Sequence, residues 1–463
     1  MFCFLPIVFV LYFSFKDIAW KNVVLLIASL LFYAWGEPVY VVLMVLSILF
    51  NYYAGREIEK EHKKSSLVFA IIINILILGY FKYSGFLIDT INSIFGTSIR
   101  NRELALPIGI SFYTFQAMSY LIDVYRRNSR AQKSILPFAV YITMFPQLIA
   151  GPIVRYEDIE EQLESRLIKG SDFVKGIPWF VKGMFKKIVL ANCIGAIHTE
   201  VLAMGVGNIS AFTAWIGALA YTLQIFNDFS GYSDMAIGIA LILGYRFKEN
   251  FNAPYKSQSP SEFWHRWHIS LSTWLKDYLY IPMGGSRCGE IRHYLNLVIT
   301  MVVGGLWHGP SWMFAIWGIW TSSLMIIHKK LKKIFILTEE QKQQKWRAVS
   351  NIFFTFIVMS FSMVIFRAPS VDHMADMFTQ ITSNFSAGSS AFFLIFVESY
   401  PFVAICIFGG YIMHFCPKNW TSVLTNRFIN TPIIGKAVIF ALVLFLVIQT
   451  RQSELIPFIY QQY

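Results

Sequence analysis

The side chain best suited to chemistry is His308. It stands in Val302-Val303-Gly304-Gly305-Leu306-Trp307-His308-Gly309-Pro310-Ser311-Trp312, between a tryptophan and a Gly-Pro break. In so apolar a run, a neutral imidazole can take a proton from a hydroxyl and return it to a leaving group without carrying a permanent charge. A core histidine donating to a carbonyl suits the same segment. His265 and His268 are three residues apart, close enough on a helix to share a metal ion. Neither H-E-x-x-H spacing nor a cysteine partner accompanies them, so no metal site is expected. Asp228 and Asp234 lie in Gln224-Ile225-Phe226-Asn227-Asp228-Phe229-Ser230-Gly231-Tyr232-Ser233-Asp234. As a glycosidase pair they are poorly arranged, because such enzymes place carboxylates across an open saccharide cleft. Helix breaking and capping along a cavity is the expectation for this segment.

These residues belong to one stretch, Tyr221 to Pro310, in which polar and ionisable side chains occur among aromatics. Each such side chain at a helix centre in lipid costs on the order of 2.5–3.5 kcal/mol, so the stretch is expected to face a protein interior or a wet cavity. Ser259, Pro260 and Glu262 announce a helix start, with serine as N-cap, proline at the first helical position and glutamate three residues after the cap. From there Trp264, Trp267, Leu271, Trp274 and Tyr278 recur at spacings of three and four, while Arg266, Ser270 and Lys276 point elsewhere. That pattern predicts one amphipathic helix at an interface or capping a pore. Ile281-Pro282-Met283-Gly284-Gly285 ends it. Upstream, Leu106 to Gln116 and Phe145 to Pro152 read as spans interrupted by proline and glycine, lining the same cavity or kinked for packing.

Composition sets the solvent. Of 463 residues, 56% are hydrophobic and 14% charged, against roughly half and about a quarter in a soluble domain. With 43 Phe, 23 Tyr and 13 Trp and a mean hydropathy of +0.53, the chain carries more apolar surface than one core could hide. A typical water-soluble enzyme is excluded and lipid is the implied partner. The 39 Lys+Arg against 27 Asp+Glu, a net +12, read as cytoplasmic loops facing anionic lipid rather than a nucleic-acid footprint. Cys3, Cys193, Cys288, Cys406 and Cys416 lack any C-x-x-C spacing and read as small hydrophobes, not as a disulfide framework or zinc site. The N-terminus has no basic n-region and is expected to be a retained first span.

Thirteen apolar stretches of spanning or near-spanning length occur, several too short or polar to cross alone, and about ten to twelve crossings are expected. Lys16 and Lys21, then Arg56, Lys60, Lys63 and Lys64, then Arg126, Arg127, Arg130 and Lys133, mark three cytoplasmic loops. Lys329, Lys330, Lys332, Lys333, Lys342, Lys345 and Arg347 mark another, which puts both termini outside. The acidic segment 153–172, with Glu157, Asp158, Glu160, Glu161 and Glu164, reads as an amphipathic surface element. No polar stretch is long enough for a soluble catalytic domain.

Five ordered segments resemble the membrane-bound O-acyltransferase superfamily, and within it the branch containing the membrane subunit of bacterial alginate O-acetyltransferase. They are LPIGISFYTFQAMSYLIDVYR from Leu106, FPQLIAGPI from Phe145, DFSGYSDMAIG from Asp228, EFWHRWHISLSTWLKDYLYIPMGG from Glu262 and GLWHG from Gly305. The likeness runs from the first span to about Trp320. It implies an all-α, polytopic fold of 10–12 transmembrane helices, with re-entrant and amphipathic helices around a central tunnel. The whole chain would be one membrane domain: N-terminal helices over 1–220, a catalytic core over 221–320 and C-terminal helices over 321–463.

By position, His308 is similar to the family's catalytic histidine and His268 to its second required one. Trp307, Trp264, Trp267, Ser270, Asp228 and Asp234 become candidates for contact with substrate. His265 stands where relatives commonly carry arginine, and Asn227 where an aromatic is common, so His265 is given no role. The implied reaction moves an acetyl group from cytoplasmic acetyl-coenzyme A, a substrate rather than a tightly bound cofactor, toward a hydroxyl outside. The implied partners are a separate extracytoplasmic acetyltransferase and a polysaccharide acceptor. The implied location is the bacterial cytoplasmic membrane. A relative that moves D-alanine from a carrier protein onto teichoic acid is a second possibility. A transporter or flippase would suit broken spans and polar midplane residues, but no inverted repeat is visible.

Overall fold

The computed structural model describes residues 3–102, 104–195, 197, 209–335, 344–385 and 401–449. Outside them lie Lys342 of the basic loop, residue 196 of the apolar stretch expected over 174–196, residues 391–400 of that expected over 391–415 and residue 450 of that expected over 434–450. Every regular element among the described residues is helical. They form two compact units, residues 1–177 with 236–248, and residues 178–235 with 249–463.

The first unit begins with α1 (Phe4–Phe13), α2 (Ile18–Gly36), α3 (Tyr40–Glu61) and α4 (Lys64–Phe95). Asp17 caps α2 by accepting from the Trp20 backbone N–H at 2.9 Å. A π-helical turn at Gly79–Tyr83 interrupts α4. Asn51 of α3 and Asn74 of α4 exchange amide hydrogen bonds at 2.8 and 3.2 Å, which satisfies two polar groups that lipid could not. The buried centre is α5 (Ile110–Arg126), in which every residue from Ile110 to Leu121 is buried. Its Tyr120 fits against α3 at Gly55, where a Cβ would come within 2.5 Å of the ring.

After α5 come α6 (Ile135–Thr143), α7 (Phe145–Leu148) and α8 (Tyr156–Glu164). The α6–α7 break falls at Met144, and Phe145-Pro146 open α7, in the segment where the proline predicts an interruption. By contrast, LPIGIS does not interrupt a span. Gly109, at φ +74°, starts α5, and a Cβ there would lie 2.6 Å from the Leu148 carbonyl oxygen. The acidic segment forms α8, which buries Tyr156, Ile159 and Leu163 and leaves its carboxylates on the other face.

The chain enters the second unit within α9 (Gly170–Met184), continues through a π-helical turn at Phe185–Ala191 into α10 (Ala211–Ile242), and belongs to the first unit again over residues 236–248. The segment from Gln224 to Asp234 does not break the helix, contrary to the sequence expectation; α10 runs straight through it. A single glycine in a long helix costs only about 1 kcal/mol, and Gly231 has another use. A Cβ there would sit 2.8 Å from the Gly183 carbonyl oxygen of α9. The two glycines let α9 and α10 cross in close contact.

Beyond α10 come α11 (Pro260–Arg266), α12 (Ile269–Leu275), α13 (Glu290–His308), α14 (Trp312–Ile334), α15 (Lys345–Arg367), α16 (Val371–Ser383), α17 (Pro401–Phe415), α18 (Lys418–Asn430) and α19 (Ile433–Gln449). An antiparallel hairpin joins α13 and α14. A Cβ on Gly305 would collide with the Phe314 carbonyl, and one on Gly318 would lie 2.5 Å from the Met301 carbonyl oxygen. Among the described residues, Ile18–Gly36, Tyr40–Glu61, Lys64–Phe95 and Lys345–Arg367 are long and apolar enough to cross a membrane alone, with Phe4–Phe13, Pro401–Phe415 and Ile433–Phe445 shorter apolar helices. The remaining apolar stretches are short, or mix polar side chains with their apolar ones.

Candidate active site

Ser259 accepts from the Glu262 backbone N–H at 3.1 Å, with Pro260 in the first turn, so α11 starts where the sequence predicts. The Glu262 carboxylate returns to the Gln258 N–H at 2.9 Å and pairs with Arg266 at 2.7 Å. The single amphipathic helix expected from Pro260 to Tyr278 is not formed. It breaks after Arg266, where Trp267 is extended and His268 adopts φ +41°. The break is set by another segment of the chain. The loop segment 250–252 pairs with this stretch, with Asn252 N–H on the Arg266 carbonyl and Ile269 N–H on the Asn250 carbonyl, both at 2.9 Å. These bonds take groups that a continuous helix would use internally. A left-handed residue with a Cβ costs roughly 1–2 kcal/mol, and such strain is concentrated at functional sites.

The break separates the two neighbouring histidines, leaving His265 exposed and His268 fully buried. His268 packs its ring against Phe229 at 4.6 Å, Trp307 at 5.8 Å and His308 at 6.4 Å between centroids. Its Nδ1 lies 3.2 Å from Asn250 Oδ1, and its Nε2 is buried with no hydrogen-bond partner among the described residues.

His308 ends α13, just before the extended Gly309. Its ring meets Trp307 at 5.2 Å, Trp317 at 5.5 Å and Phe366 at 5.2 Å. Phe366 in turn packs on Phe314 and Trp317, both at 5.1 Å. Aromatic groups from α13, α14 and α15 thus pack around the buried imidazole, an enclosure suited to keeping solvent from a proton-transfer step.

The other candidates separate by role. Trp307 touches both histidine rings, at 5.8 Å from His268 and 5.2 Å from His308 between centroids. Trp267 is buried in the aromatic cluster with Phe226, Phe263 and Tyr255, where it supports the site from behind. Trp264 lies against Trp317 at 5.5 Å. Ser270 donates from Oγ to Asn250 Oδ1 at 2.9 Å. Asp228 pairs with Lys187, and Asp234 with Lys186 at 2.7 Å and Lys182 at 3.1 Å. These carboxylates tie α10 to the α9 segment beside the glycine crossing.

Sequence reasoning did not single out Asn250, Phe366, Trp317 or the three lysines. Phe366 lies 58 positions beyond His308, past the last quoted motif, and Asn250 lies in a loop with no motif of its own. Trp317 carries a further feature. Its indole N–H is buried without an acceptor among the described residues, as is that of Trp264. An indole N–H only donates, so Trp317, with its ring against His308, is suited to meet negative charge developing on a reacting carbonyl oxygen.

The membrane-bound O-acyltransferase family model matches residues 35–368, the span that holds both histidines and Phe366. The chain is 41% identical over 381 residues to a probable alginate O-acetylase of Azotobacter vinelandii, covering 80% of this chain and 74% of that protein. It is 36% identical over 366 residues to the peptidoglycan O-acetyltransferase of Helicobacter pylori, covering 71% and 69%. It is 27% identical over 283 residues to the teichoic acid D-alanyltransferase of Streptococcus thermophilus, covering 56% and 68%. A chain with several helices apolar enough to span a bilayer, two buried histidines in contact with one tryptophan, and this extent of likeness belongs to the membrane-bound O-acyltransferase family: it is a multi-pass membrane acyltransferase.

Proposed function

We propose that this protein transfers an acetyl group, taken from cytoplasmic acetyl-coenzyme A, for the O-acetylation of an exported or cell-wall polysaccharide such as alginate. It does so in the bacterial cytoplasmic membrane, with a separate extracytoplasmic acetyltransferase completing delivery. The observation that carries this reading is the pair of buried imidazoles, 6.4 Å apart between ring centroids, inside an aromatic enclosure. The names of the relatives in Azotobacter and Helicobacter support acetyl as the group moved and a surface glycan as its destination.

In this reading His308 is the base. The acceptor hydroxyl gives its proton to the imidazole as its oxygen bonds to the thioester carbonyl carbon. The tetrahedral intermediate then collapses by breaking the carbon–sulfur bond, and the leaving thiolate takes the proton back from the imidazolium. The aromatic enclosure keeps water from the thioester, and Trp317 Nε1 donates to the oxyanion.

D-alanyl transfer from a carrier protein is the second reading, favoured by the Streptococcus relative. The two separate on donor. Purified protein in lipid nanodiscs is given radiolabelled acetyl-coenzyme A or a D-alanyl-charged carrier protein, with an acceptor glycan and membrane extract as the source of partner. Label transferred from acetyl-coenzyme A alone supports the first reading; transfer from the carrier alone overturns it.

A further inference from the structure

The hydrogen bonds around Asn250 leave His268 only one neutral tautomer. The Asn250 side-chain oxygen lies 3.1 Å from the Ser270 backbone nitrogen, 2.9 Å from Ser270 Oγ and 3.2 Å from His268 Nδ1, while Nδ2 donates to Ser233 Oγ at 3.1 Å. A backbone N–H can only donate, so the carboxamide atom facing it is the oxygen, with Nδ2 turned to Ser233. That oxygen accepts and never donates. His268 Nδ1 must therefore carry the ring proton to bond with it, and Ser270 Oγ, 3.5 Å from Nδ1, is a second acceptor for it. A neutral imidazole holds one such proton, which leaves Nε2 as a bare lone pair. Nε2 is the atom with no hydrogen-bond partner among the described residues.

We infer that Asn250 is a positioning residue that fixes His268 as its Nδ1–H tautomer, so that Nε2 meets the reactants as an acceptor of a hydroxyl proton or hydrogen bond. In its neutral form His268 then cannot donate to an oxyanion, which separates its work from that of the Trp317 indole. Ser233, from the Asp228–Gly238 motif on α10, pins the far end of the Asn250 amide, and the backbone bond from Ile269 N–H to the Asn250 carbonyl holds the segment in register. The functional half of this inference rests on the reading that His268 takes part in acyl transfer; the tautomer does not.

The test has a spectroscopic arm and a kinetic arm. Protein labelled with ¹⁵N-histidine is examined in lipid bilayers by solid-state NMR, with the His268 signals identified by their loss in His268→Gln. The wild type is expected to show Nδ1 protonated and Nε2 bare. Asn250→Asp keeps an acceptor and is expected to keep that signature, whereas Asn250→Leu is expected to lose it. An Nε2–H signature in the wild type overturns the inference without any Asn250 variant being needed. In the kinetic arm Asn250→Leu is expected to lower kcat by ~10- to 10²-fold, within the range of one general acid–base group. The donor KM should stay within about threefold, Asn250→Asp should recover most of the rate, and Asn250→Leu/His268→Gln should be no slower than His268→Gln alone. Asn250→Leu with unchanged tautomer and unchanged kcat overturns the inference. Full activity in His268→Gln overturns instead the reading of His268 as part of the site, and the NMR result then stands by itself.

Discussion

Phe366 places its ring 5.2 Å from that of His308, edge to face, although 58 positions separate the two in sequence. The contact makes α15 a wall of the site as well as an apolar span.

Removing that wall should admit water. Phe366→Ala is expected to lower stability by ~3–5 kcal/mol, as for a large-to-small change in a packed core. In the protein that survives, thioester hydrolysis should rise relative to transfer. Phe366→Leu should keep most of the stability and show a smaller change in the same ratio. Acyl release to water and to acceptor, measured side by side from the same labelled donor, checks this. An unchanged ratio in Phe366→Ala contradicts the water-excluding role.

The Trp317 indole N–H, buried without an acceptor among the described residues, is expected to work when charge develops on the carbonyl oxygen. Trp317→Phe removes the donor and keeps an aromatic ring. Loss of one oxyanion donor typically costs about 10²–10³ in kcat. A fall of that order with little change in donor KM is expected in steady-state assays of the purified protein.

The Lys187–Asp228 pair should behave as a buried ion pair, since both side chains are largely covered. Asp228→Asn leaves a buried ammonium without its counter-charge and is expected to destabilise by ~3–5 kcal/mol, while replacing both partners by apolar residues of similar size should recover most of that loss. Thermal unfolding of the detergent-solubilised single and double variants checks this. A double variant as unstable as the single one would count against pairing as the cause.

Close approach of α13 and α14 requires Gly305. Gly305→Ala forces its Cβ onto the Phe314 carbonyl, a backbone atom that cannot swing aside, and overpacking of this kind costs ~1–3 kcal/mol. At Gly409, by contrast, a Cβ would have nothing within 4 Å among the described residues. Gly409→Ala should be neutral or slightly stabilising, by up to about 1 kcal/mol, because helix interiors favour alanine. Melting temperatures of the two variants should move in opposite directions or differ clearly.

Local signals were legible in the sequence to the extent that their causes are local. Ser259, Pro260 and Glu262 give the start of α11, and Phe145-Pro146 gives the α6–α7 break, because caps and prolines act within one turn. The break at His268 was not legible. Its spacing of tryptophans continues a helical stripe, and what stops the helix is backbone pairing with Asn250 and Asn252, fourteen or more positions away. The ion pairs of Asp228 and Asp234 were not legible for the same reason: their partners, Lys187 and Lys186, arrive from the π-helical turn after α9, beside the close crossing that Gly183 and Gly231 allow. His308 could be singled out by its apolar setting, but its wall of Phe314, Trp317 and Phe366 requires three helices to be assembled first.

The most direct measurement of the central claim is the O-acetyl content of surface polysaccharide in cells whose own copy of this gene is deleted and replaced by His308→Ala. Membrane abundance of the variant is matched to that of the wild type by immunoblot. The proposed chemistry predicts that O-acetylation falls to the level of the deletion strain. Acetylation equal to that of the wild type at equal abundance would contradict His308 as the base.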